Sequence, residues 1–130
     1  MTDDQEIYAD ISRRFEAHNR QFTNWHGEVF STVMRDKGRI IAAARGATNM
    51  GLVEIRGFWV DPDQRGQGLG TGLMTALLTE ARNRGCSRAA LDTYSWQALG
   101  FYQRLGFREY GTLEYPNGTS RHYLVRDLAP

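Results

Sequence analysis

The sequence predicts an α/β (α+β) fold: a single domain, 1–130, with a mixed, mostly antiparallel sheet and helices on both faces. Three observations carry this. Val29 to Arg35, Ile40 to Thr48 and Leu52 to Val60 are β-rich, and only the short turns Asp36-Lys37-Gly38-Arg39 and Asn49-Met50-Gly51 separate them. Strands joined that closely form an antiparallel meander. A helical pattern, Leu69 to Arg84, then stands between the third strand and a short apolar strand, Arg88 to Thr93. A strand, a helix and a second strand make a crossover, so those two strands should run parallel. A further helix and two strands close the chain.

In chain order, Asp4 to Phe22 places Ile7, Ile11, Phe15 and Phe22 on one stripe with Tyr8 beside it, the mark of an amphipathic helix. Gln21 to Glu28 has no period and reads as a loop. Gly38 supplies the permissive backbone of the first hairpin turn. Gly57 lies inside the third strand, where glycine marks a bulge or a close backbone approach. Leu69, Leu73, Ala76, Leu77 and Ala81 share one face of the next helix, and Gly85 ends it. The following helix, about Trp96 to Leu105, stops at Gly106. Phe107 to Leu113 is a strand, Tyr115-Pro116-Asn117-Gly118 a turn, and Arg121 to Leu128 the last strand.

A chain of 130 residues can bury one modest core. With 41% hydrophobic and 24% charged residues it has the make-up of a globular domain. A net charge of +1 lacks the basic excess of a generic nucleic-acid binder, and no apolar run reaches membrane-spanning length. The acidic start Met1-Thr2-Asp3-Asp4-Gln5-Glu6 lacks the basic-then-apolar order of a signal peptide, so a cytoplasmic location is expected. The single cysteine, Cys86, excludes an intrachain disulfide and reads as a small buried hydrophobe. His18, His26 and His122 lie far apart without ligand spacing, and no metal is expected.

The most informative stretch is Asp61-Pro62-Asp63-Gln64-Arg65-Gly66-Gln67-Gly68-Leu69-Gly70. It joins a strand to a helix start through glycines at alternate positions. Such a turn aims backbone N–H groups into one concavity, and the helix dipole adds positive potential there, so the expected guest is a phosphate or pyrophosphate. A nucleotide P-loop needs Gly-Lys-Ser/Thr, but Gly70 is followed by Thr71-Gly72. A dinucleotide fingerprint needs a repeated βαβ array with an acidic residue downstream. Asp92 is near that distance, but the preceding meander is the wrong architecture.

Arg65-x-x-Gly68-x-Gly70 resembles the acyl-CoA pyrophosphate loop of the GNAT superfamily of N-acetyltransferases. The block Thr93 to Phe107 is similar to the same superfamily's C-terminal motif, with Ala98, Tyr102 and Gly106-Phe107 matching in order and spacing. Ser95 stands where that motif usually has Asn, and no first strand precedes the opening helix. The resemblance covers about Val29 to Leu128 and implies a GNAT-like domain with acetyl-CoA as the acyl donor. It implies a donor-binding set of Trp59, Val60, Arg65, Gly66, Gln67, Gly68, Leu69, Gly70, Thr71, Ser95 and Ala98. It further implies an oxyanion donor from the strand backbone near Val60, and Tyr102 as the acid that protonates the departing thiolate.

Acyl transfer from a thioester also needs a base, because an alkylammonium of pKa ~10 is mostly charged at neutral pH. Glu54, on the strand leading into the loop where some members carry a base, is the candidate, acting through a water. Asp92 and Asp61 rank behind it, and Asp61-Pro62 is a turn initiator. Candidates for the amine pocket are Asn24, Trp25, His26 and Glu28 with Tyr94, Trp96 and Tyr123. The expected function is N-acetylation of a primary amine, carried by a small molecule or a peptide. A homodimer is the assembly considered; no nucleic-acid or membrane partner is expected. Two other readings suit the same residues: a non-catalytic acyl-CoA-binding or regulatory module, and a protein-interaction domain whose glycine loop binds nothing. Calorimetry with acetyl-CoA separates the last from the others, and turnover separates the first two.

Overall fold

The computed structural model describes residues 3–23 and 27–128. Asn24, Trp25 and His26, named above for the amine pocket, lie outside the described residues. The elements are α1 (Asp3–Asn19), β1 (Glu28–Asp36), β2 (Arg39–Asn49), β3 (Leu52–Val60), a 3-10 turn (Pro62–Gln64), α2 (Leu69–Asn83), β4 (Arg88–Tyr94), α3 (Leu99–Arg104), β5 (Arg108–Glu114) and β6 (Ser120–Asp127). They build a six-stranded sheet in the order β1-β2-β3-β4-β6-β5. Every neighbouring pair is antiparallel except β3 and β4, which the α2 crossover makes parallel.

One face of the sheet carries the core. Phe30, Ala42, Ala44, Val53, Ile55, Ala89, Leu91 and Leu124 pack with Leu73, Met74, Leu77, Leu78 and Ala81 of α2. The small residues of β2 let the helix approach closely. Gly46 serves the same packing, since a Cβ there would lie 2.7 Å from the Phe30 ring. The helix is rotated slightly from the face read in the sequence. Met74 and Leu78 are fully covered while Ala76 is exposed, because larger side chains win the places nearest the sheet. Cys86 is buried in this core, and loss of solvent pushes its thiol pKa up.

The opening helix behaves differently. It ends at Asn19, three residues before Phe22, and buries no residue. Ile7, Ile11, Phe15 and Phe22 are between 46% and 75% exposed. The second half of α1 stands across a groove from the other sheet face, opposite Val29, Ala47, Leu52 and Glu54. Among the described residues, no helix is long and apolar enough to cross a membrane.

What positions the site is a division in the middle of the sheet. β3 and β4 pair only at Leu52↔Arg88, Val53↔Ala89 and Glu54↔Ala90. Beyond that point β3 follows β2 as far as Val60, and β4 follows β6 as far as Tyr94. The cause is the bulge expected at Gly57. Its φ is +74°, and the β2–β3 register shifts between Ala44 and Arg45, where Gly57 is the extra residue. A bulge bends its strand and raises its twist. Here it turns the C-terminal half of β3 away from β4 and opens a V through the sheet.

Candidate active site

The V forms a cleft of about 1040 Å³. Because it passes between two strands, it reaches both sheet faces. Alternation along β3 places Phe58 and Val60 on the α2 face and Glu54 and Arg56 on the other.

On the α2 face the cleft meets the glycine-rich loop. Arg65, Gly66, Leu69 and Gly70 line it, while Gln67, Gly68 and Thr71 continue on the exposed side of the turn. Gly68 caps α2 in a left-handed conformation, φ +80°, and its carbonyl accepts the Gly72 N–H. The N–H groups of Leu69, Gly70 and Thr71 are the orphan donors of a helix start. Space beside Gly66 and Gly68 is open, with no atom within 4 Å of where a Cβ would lie. Gly70 answers to packing instead: its Cβ would sit 3.0 Å from the Phe101 ring. Arg65 does not reach toward the loop's amides. Its Nε donates to the Val60 carbonyl at 2.9 Å, and its guanidinium lies 4.9 Å over the Trp59 ring. Trp59 in turn donates from Nε1 to Asp61 at 3.1 Å.

Tyr102 lies on α3 beside the same end of the cleft. Its ring packs edge-on against Phe58, Phe101 and Phe107 at 6.0, 5.3 and 6.3 Å. Burial pushes its phenol above the ordinary value, so it stays protonated at neutral pH.

On the opposite face, each arm of the V carries its own ion pair. Glu54 meets Arg56 at 3.2 Å, and Asp92 accepts from Arg121 at 2.7 Å. These two pairs line the two arms of the opening. The arrangement offers an anion cradle and a proton donor on one side of a gap and carboxylates on the other, which is what transfer between two substrates entering from opposite faces requires.

The model of the acetyltransferase (GNAT) family matches residues 2–107. The chain belongs to that family. It is accordingly an acyltransferase. A blasticidin-S acetyltransferase of Streptomyces morookaense is 34% identical over 104 residues, covering 78% of this chain and 76% of that protein. N-alpha-acetyltransferase 30 of Schizosaccharomyces pombe is 32% identical over 126 residues, 88% of this chain and 83% of that one. The crystal structure of an acetyltransferase from Bacillus cereus superposes with a TM-score of 0.86 at 29% identity, over 98% of this chain and 94% of the other.

Within this GNAT frame the residues named from sequence divide clearly. Glu54, Trp59, Val60, Arg65, Gly66, Leu69, Gly70, Ala98 and Tyr102 line one cleft, as do Tyr94 and Trp96. Glu28 does not join them. It pairs with Arg84 at 2.9 Å beside the groove under α1, because β1 is the far edge strand. Ser95 has its hydrogen bonds turned to β6: its N–H donates to the Ser120 carbonyl at 2.9 Å, and its Oγ accepts from the Ser120 N–H at 3.4 Å. Among the described residues, no group of three His, Cys, Asp or Glu side chains is placed to hold a metal ion.

Two cleft residues, Gln97 and Arg121, went unnamed as site residues in the sequence, as did Tyr115 behind them. Gln97 Oε1 accepts from the Thr93 hydroxyl at 3.1 Å and the Tyr94 N–H at 2.8 Å, which leaves the NH2 end of its amide to a ligand. It sits two residues from the place where the family motif has Asn, and amide chemistry at that spacing was the available signal. Arg121 lies 29 residues from Asp92, and only the Asp92↔Tyr123 and Tyr94↔Arg121 register makes them neighbours. Tyr115 accepts from Arg121 and also bonds Tyr94, which lowers its own phenol pKa and raises that of Tyr94.

Proposed function

We propose that the protein transfers an acetyl group from acetyl-CoA directly to a primary amine. The observation that carries this is the V itself, with the glycine loop and Tyr102 at one face and Glu54 at the other. The N–H groups at the start of α2 would bind the CoA pyrophosphate, with the open space at Gly66 and Gly68 admitting it. Asp61 N–H bonds to the Ile41 carbonyl, so alternation along the antiparallel ladder turns the Val60 N–H and carbonyl away from β2 and into the V. That N–H suits the oxyanion. The NH2 of Gln97, whose Oε1 is taken by Thr93 and Tyr94, would stand in for the amide of the Asn that the family motif has at Ser95.

The chemistry then balances as follows. Glu54 receives the ammonium proton through a water, and the amine nitrogen attacks the thioester carbon. The adduct releases its second N–H proton to solvent as its C–S bond breaks, and Tyr102 protonates the thiolate. Tyr102 then regains a proton from water and Glu54 gives its proton up to water, for a net release of one proton. The amide product and the free thiol leave with no acyl group on the protein. Two relatives bear on the acceptor: by their names one acetylates blasticidin-S and the other an α-amino group. Their common requirement is an amine.

Ser95, turned away to β6, favours a second reading, a non-catalytic acyl-CoA-binding module. Both readings require the loop to bind acetyl-CoA. Valine at Gly68 should weaken calorimetric affinity for acetyl-CoA at least about tenfold, because a β-branched residue at φ +80° costs about 1–3 kcal/mol and distorts the loop. Unchanged affinity in a folded Gly68→Val protein would move the donor site elsewhere.

A further inference from the structure

We propose that the acceptor amine carries a flat aromatic or heteroaromatic ring, and that this ring stacks on the open face of Trp96. The proposal rests on the acetyl-transfer reading above and names the class of substrate for it.

The evidence is a run of stacked groups on the Glu54 side of the sheet. The Arg121 guanidinium lies over two rings, 5.2 Å from the centroid of Tyr123 and 5.6 Å from that of Tyr94. Tyr94 then stacks on Trp96 at 4.8 Å, with 2° between the planes. The run is Tyr123, Arg121, Tyr94, Trp96, and it ends at the cleft. Trp96 is 70% exposed, so beyond the face covered by Tyr94 its indole presents apolar surface to solvent. It lines the same cavity as Glu54.

The platform is held in place before any ligand arrives. Gln97 ties the segment carrying Trp96 to Thr93 and Tyr94, and Ser95 ties it to Ser120. Asp92 and Tyr115 fix the Arg121 guanidinium behind Tyr94. A rigid aromatic surface binds with little ordering cost. It favours a π face over a puckered ring of the same size, since aromatic pairs gain stabilisation beyond their buried area. A ring is also the better occupant than a second cation, because Arg121 already lies one ring behind the exposed indole. With the ring on Trp96, the amine can extend across the V toward Glu54.

The test compares 2-phenylethylamine with 2-cyclohexylethylamine, which share an amine and a spacer and differ in flatness. With acetyl-CoA, the ratio of their kcat/KM values should be about ten for the native protein. It should fall close to one in Trp96→Ala and recover in Trp96→Phe. A native ratio near one, or a ratio that survives Trp96→Ala, would overturn the proposal. A second readout needs no turnover. In the presence of CoA, the native protein should shift the proton resonances of the phenyl ring upfield, and Trp96→Ala should not. Absence of that shift with the native protein also overturns it. Thiol release without ring preference would sink the ring and leave acetyl transfer standing; a ring shift without thiol release under any amine would do the reverse.

Discussion

Replacing Tyr102 with phenylalanine should lower kcat about a hundredfold while acetyl-CoA affinity changes only a few fold. The substitution removes the hydroxyl alone. The ring keeps its edge-on contacts with Phe58, Phe101 and Phe107, so α3 and the cleft wall stay in place. The rate falls because the thiolate must then leave without a proton from the protein. The pH profile carries a signature of the same role. An acid acts in its protonated form, and burial raises the Tyr102 pKa. The alkaline fall in kcat should therefore lie above the ordinary phenol range of about 10 and vanish in Tyr102→Phe. A variant that keeps both the rate and the alkaline fall removes Tyr102 from the chemistry.

Glu54→Gln should reduce kcat/KM about a hundredfold at pH 7, and the deficit should shrink as the pH rises. The sign follows from the substrate. An alkylammonium of pKa ~10 needs a base at neutral pH, and near pH 10 half of it is already the free amine. Arg56 holds the native carboxylate at 3.2 Å, and a glutamine can keep a hydrogen bond there, so the geometry changes little. A deficit that is constant with pH would make Glu54 a positioning residue, and the proton acceptor would have to be sought elsewhere along the cleft.

Much of the fold was legible because its signals are local. Short turns announced the meander, the helical period announced the crossover, and a lone glycine in a strand announced the bulge that opens the V. The α1 stripe shows where such signals stop. Periodicity at Ile7, Ile11 and Phe15 reports that a face is apolar, not that anything covers it, and in the structure nothing among the described residues buries it. Glu28 lies apart from the cleft for a related reason. Its strand follows directly on the loop assigned to the pocket, but strand order puts it at the far edge of the sheet.

The site was legible in its motifs and less so in its non-local pairs. Gly66 and Gly68 belong to a glycine-rich turn visible in the sequence, and Tyr102 enters through the resemblance of the block Thr93 to Phe107. Arg65 came with the glycine-loop motif, and only the structure shows its guanidinium engaged by the Val60 carbonyl and the Trp59 face. Gly70 has a packing reason that only the position of Phe101 reveals. The Asp92–Arg121 pair and the Tyr94–Trp96 stack depend on how β4 meets β6 and on how the segment after β4 folds back.

The central claim is direct transfer through the V from acetyl-CoA to an amine. The most direct measurement is the release of free CoA thiol across a panel of primary amines, with the acylated product counted by mass. The account predicts thiol release that depends on the amine, one acetylated amine for each thiol, and no acetyl group retained on the protein. Tight binding of acetyl-CoA with no amine-dependent thiol release, or a protein left acetylated in place of the amine, would contradict it.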